Sequence, residues 1–358
     1  MANSLKPSKK GLPYVSVIIC SFDNRDIISK PLAMLYKQSY PKELFEIIIV
    51  DDGSKFPITI NEMQFPYLKI KLIRNKKNMG LGYSRNAGLL KAKGSLVLFT
   101  DNDCSPHNKW IEEMVDGFNN FPEASAMGGR IIAADSSNIW QFYTENAKIP
   151  FFEHMKFQKN TIYSYLRRFF SPEKKELKYG EELRSCMGLN SAYRKVIIDQ
   201  YMPDPTKRRG VDLDINLRLI EGGYKIIYND KAIVAHPHRK NFISFSKHAF
   251  NYGLNTSYTF KSNRKSILPY PFPILGICLS LLLIFISILT FNSSFFLLFL
   301  SPSPILIIII LYYLADLPYA IKMRKITNWR AIIIFPFAHF TREFFWDIGW
   351  IASHFWKF

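Results

Sequence analysis

Three short β-branched runs near the N-terminus each stop on a cluster of polar side chains. Residues 15–20 (VSVIIC) run into Ser21-Phe22-Asp23-Asn24, residues 45–50 (FEIIIV) into Asp51-Asp52-Gly53-Ser54, and residues 95–100 (SLVLFT) into Asp101-Asn102-Asp103. Helical periodicity at 26–38 and 80–92 separates these runs, and 68–73 reads as one more strand. Strands alternating with helices specify right-handed crossovers, hence an α/β fold on a mostly parallel, Rossmann-like sheet. Such sheets take their ligands beyond the carboxyl ends of the strands, where the three clusters are expected to meet. The alternation resumes with segments at 186–199 and 210–222 and with closing strands at 225–228 and 232–236.

Composition removes several classes. With 48% hydrophobic and 15% aromatic residues the chain is neither disordered nor collagen-like. Its cysteines, Cys20, Cys104, Cys186 and Cys278, form no C-x-x-C pair, which excludes a disulfide scaffold or a zinc ribbon. Residues 1–12 read as a polar tail, and the apolar run after them is too short for a signal peptide. The 47 Lys and Arg against 29 Asp and Glu give +18, a balance that suits nucleic acid. No recognition helix, zinc finger or RNP motif accompanies it, so an anionic membrane face and phosphate-bearing substrates are the expected partners, with no nucleic acid.

Between residues 266 and 321 no Lys or Arg occurs, and Asp316 is the lone charge. Two apolar runs, 274–291 and 295–315, lie inside this stretch, each long enough to cross a bilayer as a helix. A transmembrane hairpin is therefore expected, with a buried core hairpin or a re-entrant pair as alternatives. Lys261, Arg264 and Lys265 before it and Lys322, Arg324 and Lys325 after it put both ends on the cytoplasmic side. Pro302 and Pro304 are expected to bend the second helix or end it early. Residues 322–358 mix Trp, Phe and charged side chains and read as an interfacial segment more than a third span. The window 156–184, rich in Lys, Arg and aromatics, reads equally as a membrane-facing lid or a solvated helix. The expected organisation is a tail (1–12), a catalytic α/β domain (13–240), a juxtamembrane linker (241–265), the hairpin (266–321) and the interfacial segment (322–358).

Asp101 and Asp103, two apart around a turn, can present oxygens to one divalent cation that in turn holds a diphosphate. Asp51 and Asp52 are adjacent acids at a strand end, and their repulsion requires hydrogen-bond donors. A ribose hydroxyl, a base N–H or Arg85 would serve.

Taken in order, VSVIICSF (15–22), VDDGS (50–54), NMGLGYSRNAG (78–88), TDND (100–103), GLN (188–190) and VDLD (211–214) resemble the motifs of family 2 glycosyltransferases of the membrane-anchored bacterial and archaeal type. The resemblance covers about residues 13–240. It implies a GT-A fold, a nucleotide-sugar donor, a divalent cation (Mg2+ or Mn2+) and inversion at the anomeric carbon. It implies that Phe22, Asp52, Arg85 and Asp101 lie on the nucleotide-sugar side and that Asp103 and His236 complete the metal shell, with His238 a neighbouring alternative. Asn190 and Asp214 fall on the acceptor side. The family's base is the Asp of a Glu-Asp pair; the matching residue is Asp212, preceded here by Val211, with Asp214 as the second candidate.

An acceptor hydroxyl needs a carboxylate to take its proton, and one displacement with one base inverts the configuration. The expected enzyme is thus a membrane-anchored glycosyltransferase adding one sugar to a lipid-linked or glycan acceptor in cell-surface polysaccharide or glycolipid assembly. The Gln-x-x-Arg-Trp motif of processive synthases is absent. The alternatives are a polyprenyl-phosphate sugar transferase, whose phosphate acceptor needs no base, and a non-catalytic membrane scaffold that keeps the fold.

Overall fold

The computed structural model describes residues 11–24, 27–60, 65–147, 155–156, 169–170, 177–262, 272–289, 302–327 and 329–355. The expected tail, most of the 156–184 window, the linker around 265 and the turn of the apolar hairpin fall largely outside these residues. The chain divides into two compact units, one from residues 1–132, 152–157 and 177–236 and the other from 133–151, 158–176 and 237–358.

The first unit is built on one sheet. Its strands are β1 (Val15–Ser21), β2 (Phe45–Asp51), β3 (Lys69–Arg74), β4 (Leu96–Asp101), β5 (Ser105–Pro106), β6 (Ala124–Ala133), β7 (Met155–Lys156), β8 (Glu182–Ser185), β9 (Asn190–Arg194) and β10 (Lys225–His236). They lie in the order β3-β2-β1-β4-β9-β6-β10-β8-β7, with β5 paired to β10. β3, β2, β1 and β4 are parallel. β9 runs antiparallel to β4 and β6, and β5 and β8 run antiparallel to β10.

Side-chain alternation explains the layers. Val15, Val17, Ile19, Ile47 and Ile49 face one side and pack with Leu32 and Leu35 of α1 (Ser29–Tyr36). Trp110, Ile111 and Met114 of α3 (Trp110–Asn120) join the same layer. Ile18, Ile48, Val50 and Phe99 face the other side, against Leu89 of α2 (Leu81–Leu89) and Val211, Ile215 and Leu219 of a later helix (Val211–Glu221). Continuous apolar runs are what strands covered on both faces require. β3, at the edge, instead carries Lys69, Lys71 and Arg74, which suits a strand with one unpaired side.

Two expectations change here. The helix expected at 26–38 spans Ser29–Tyr36. The two closing strands are one strand, Lys225–His236, because Asn229 is satisfied in place: its Nδ2 donates to the Glu113 carbonyl at 2.7 Å and its Oδ1 accepts the Lys231 N–H at 3.1 Å.

The second unit is helical: α4 (Ile139–Asn146), then, after the short α5 (Lys195–Ile198) and α6 (Val211–Glu221) of the first unit, α7 (Phe242–Ser262), α8 (Phe272–Leu289), α9 (Ser303–Thr327) and α10 (Arg330–Phe355). The proline pair starts α9 instead of bending it: Pro304 occupies its first turn, where a missing N–H costs nothing. Among the described residues one helical stretch, Ser303–Arg324, is long and apolar enough to cross a membrane, and Pro273–Ile286 is a shorter apolar helix. α10 is inside out. His339, Arg342, Glu343 and Asp347 are buried, whereas Ile333, Phe337, Ile351 and Phe355 are exposed. Asp316 of α9 accepts or shares a hydrogen bond with His339 Nδ1 at 2.9 Å.

Candidate active site

The strand register gathers the three polar clusters at one edge. Ser21 lies beside Asp51, and Cys20 lies between Val50 and Asp101. The chain moves outward from β1 to β2 and β3 and then crosses back to β4, so β1 and β4 flank the reversal point where such sheets open a crevice. Side chains tie the three ends together. Asn102 Nδ2 donates to Ser21 Oγ at 2.7 Å, the Asp23 N–H donates to Ser54 Oγ at 2.9 Å, and the Lys55 N–H to Asp23 Oδ1 at 2.7 Å. Phe22, just past β1, is 43% exposed.

The adjacent acids avoid repulsion by facing apart, as consecutive strand residues do. Asp51 accepts from the Ser54 N–H at 2.9 Å, the Ile58 N–H at 3.3 Å and Arg74 at 2.5 Å. Burial alone would raise its pKa, but these donors hold it below the ordinary carboxylate value. Asp52 accepts from Asn75 Nδ2 at 2.8 Å, the Met79 N–H at 2.9 Å and the Gly80 N–H at 2.8 Å. Its carboxylate thus holds the Asn78–Gly82 turn, in which Gly80 has φ +94°. Arg85 partners neither acid.

Asp103 and His236 come together through the β10–β5 pairing, with Asp101 near enough to feel the charge of both. Ala235 sits opposite Ser105, which leaves His236 Nε2 3.9 Å from Asp103 Oδ2. Burial pushes the Asp101 carboxyl above the ordinary value; Arg85 and His236 oppose the push and Asp103 adds to it. His238 faces Glu145 at 3.2 Å, both within the second unit, and His236 is the histidine beside the acidic turn.

On the other flank, Arg85 Nη1 forms an ion pair with Asp212 Oδ1 in the first turn of α6, and its guanidinium lies 5.1 Å from the centre of the Phe99 ring. Asp212 keeps 27% side-chain exposure. Asp214 is held by Lys207 and by Arg218 at 2.9 Å, and its side chain is 9% exposed. Asn190 is fully buried: its Oδ1 accepts from Trp110 Nε1 at 2.8 Å, and its Nδ2 donates to the carbonyls of Arg130 and Ala232. It is a strut joining α3, β6 and β10. Phe99, Asn75 and Lys207 are partners the sequence did not point to, because each lies outside the element of the side chain it serves; Arg218 reaches Asp214 from one turn further along the same helix.

The site therefore offers an acidic turn with an imidazole beside it, an exposed aromatic, and a second, part-exposed carboxylate held by Arg85. That set can hold a cation-bound diphosphate on one side and accept a proton on the other. The Mannosyltransferase PcManGT from Pyrobaculum calidifontis, solved in complex with GDP-Man and Mn2+, is similar in fold: TM-score 0.54 at 16% identity over 99% of this chain and 90% of that one. Among curated proteins the chain is similar to the Haloferax volcanii glycosyltransferase AglE, at 35% identity over 106 residues, 29% of this chain. It spans only about a third (35%) of that protein's length. It is also similar to the Methanococcus voltae dolichyl N-acetyl-alpha-D-glucosaminyl phosphate 3-beta-D-2,3-diacetamido-2,3-dideoxy-beta-D-glucuronosyltransferase, at 26% identity over 291 residues, 77% of this chain and 84% of that protein. The Glycosyl transferase family 2 model matches residues 16–201, and with the sheet order and strand-end acids described above it shows that this chain, of GT-A fold, belongs to glycosyl transferase family 2.

Proposed function

We propose that the chain transfers one sugar from a nucleotide-sugar donor to a hydroxyl of a lipid-linked acceptor, with inversion, at a cytoplasmic membrane face. The observation that carries this reading is that two carboxylate sets border Arg85: Asp101, with Asp103, at the end of β4, and the part-exposed Asp212 at the start of α6. Asp212 is the base, because its side chain keeps 27% exposure beside Arg85, whereas Asp214, held by both Lys207 and Arg218, keeps 9%. It takes the acceptor proton as the oxygen attacks, and Phe22 stacks on the nucleotide base. The mannosyltransferase neighbour and the dolichyl-linked name of the Methanococcus relative support a nucleotide-sugar donor and a lipid-linked acceptor.

A divalent cation fits the residues present. Asp103 and His236 face each other at 3.9 Å, an oxygen and nitrogen donor set that suits Mn2+ or Mg2+. Among the described residues no group of three such donors converges, so the remaining ligands would come from the donor diphosphate and water. Asp103 and His236 would hold the ion, and Asp101 would orient the diphosphate. When bound, the cation supplies charge stabilisation for the departing nucleoside diphosphate.

The membrane part of the proposal keeps two spans, α8 and α9, with basic flanks on the cytoplasmic side. The exposed apolar residues Leu281, Phe285, Ile307 and Leu314, with the buried charges of α10, support it. The test is turnover of UDP-, GDP- and dTDP-sugars by detergent-solubilised protein, with Mn2+ or Mg2+ and with EDTA, on a polyprenyl-phosphate-linked sugar. Metal-dependent transfer lost in Asp103→Ala and Asp212→Asn is the expected result. Transfer that survives Asp212→Asn overturns the base assignment and favours a lipid phosphate acceptor.

A further inference from the structure

Arg85 has surroundings that a nucleotide ligand does not need. It is 3% exposed, on the face of α2 turned into the sheet, with its guanidinium packed over Phe99. Its charge could be balanced by several neighbours. Cys20, Cys186 and Tyr193 all lie near enough to feel it, but burial pushes each of them up, Cys20 to about 12 and Cys186 to about 11, so all three are neutral. Two carboxylates remain, Asp101 of β4 and Asp212 of α6, and the ion pair is made to Asp212. Of the other cations near that helix, Lys207 and Arg218 are bound to Asp214 and Arg208 donates to Asn78, while Arg209, beside the helix start, is exposed.

Gly188 completes the arrangement. A Cβ at that position would overlap both the Arg85 guanidinium and the Asp212 carboxylate. The backbone of the turn before β9 therefore lies directly against the pair and closes it from a third side.

We propose that Arg85 is a positioning residue for the base Asp212, fixing its carboxylate at the start of α6, and not a ligand of the nucleotide. The proposal rests on Asp212 being the base. A guanidinium braced by an aromatic ring and by a glycine turn offers a rigid fork to one carboxylate. The carboxylate stays oriented while retaining the exposure that an acceptor hydroxyl requires.

The experiment compares wild type, Arg85→Lys, Arg85→Gln, Asp212→Asn and the Arg85→Gln/Asp212→Asn double variant. Binding of UDP, GDP and dTDP, each with Mn2+, is measured by titration calorimetry. Turnover with the donor found in the panel above is measured against pH. The expected result is nucleotide affinity within about twofold of wild type in both Arg85 variants. In Arg85→Gln, kcat falls about 10²-fold, and the acid limb of the kcat–pH profile moves to higher pH, since a carboxylate without its cation holds its proton more tightly. Arg85→Lys recovers part of the rate. The double variant is no slower than Asp212→Asn alone, as expected for groups acting as one unit. Tenfold or greater loss of nucleotide affinity with an unmoved pH limb overturns the proposal while leaving Asp212 as base. Full turnover in Asp212→Asn overturns both readings. If Arg85→Gln does not fold, Arg85→Lys decides by the same split between affinity and kcat.

Discussion

The carboxylate of Asp52 accepts the Gly80 N–H at 2.8 Å. With the Met79 N–H on its other oxygen, it fixes a turn that packs on the segment leading into α6: Gly82 N–H donates to the Lys207 carbonyl at 2.9 Å, and Arg208 reaches Asn78 Oδ1 at 2.5 Å. One acid at the end of β2 thereby anchors the approach to the helix that carries Asp212.

Replacing Asp52 with Ala strands two backbone donors in a site where the residue is 5% exposed. Each such group costs about 1–3 kcal/mol, so the variant is expected to lose about 3 kcal/mol of stability. Asp52→Asn loses less. Urea unfolding of both variants beside wild type checks the order.

Gly188→Ala puts a methyl group into the Arg85–Asp212 pair. The fold survives, because the clash falls on side-chain ends, but the carboxylate is displaced. Transfer is expected to fall about 10²-fold with little change in nucleotide affinity. Steady-state kinetics with parallel titration calorimetry checks this; unchanged kcat counts against the role of the pair.

Asp214→Asn separates the two acids of α6. Lys207 and Arg218 lose their common partner, which should cost about 2–3 kcal/mol in this mostly buried setting. Turnover of the folded variant is expected to stay within a few-fold of wild type. A thermal melt and a rate on the same sample give both numbers, and abolished transfer in a well-folded Asp214→Asn protein would return that residue to candidacy as base.

Asp51 sets a pH dependence. Its folded-state pKa lies below the unfolded value because Ser54, Ile58 and Arg74 overcome the effect of burial. The stability it contributes is complete above the ordinary carboxylate pKa of about 4. It is lost as pH falls below that value and through the lower one the folded state imposes. Denaturant midpoints measured on acidification should decline less in Asp51→Asn than in wild type.

The sequence by itself determined the parallel core and its acidic edge. Strand runs such as FEIIIV are marked by short, continuous β-branched stretches and the helix over Leu81–Leu89 by a period of 3.6, and a polar cluster after a buried run marks a strand end without any knowledge of partners. The apolar helix Ser303–Arg324 was legible for the same local reason, although its start moved to the proline pair. What the tertiary structure decided is which distant residues meet. Nothing local to Arg85 points to Asp212, or makes Asn190 a strut beneath Trp110. His236 reaches Asp103 only because β10 pairs with β5 in one register, and a slip of one residue would turn it to the opposite face. The charged side of α10 likewise faces inward through its packing with neighbouring helices, whereas its composition alone suggested an interfacial segment. Periodicity reports the neighbours within an element; strand register and helix packing choose the partners between elements.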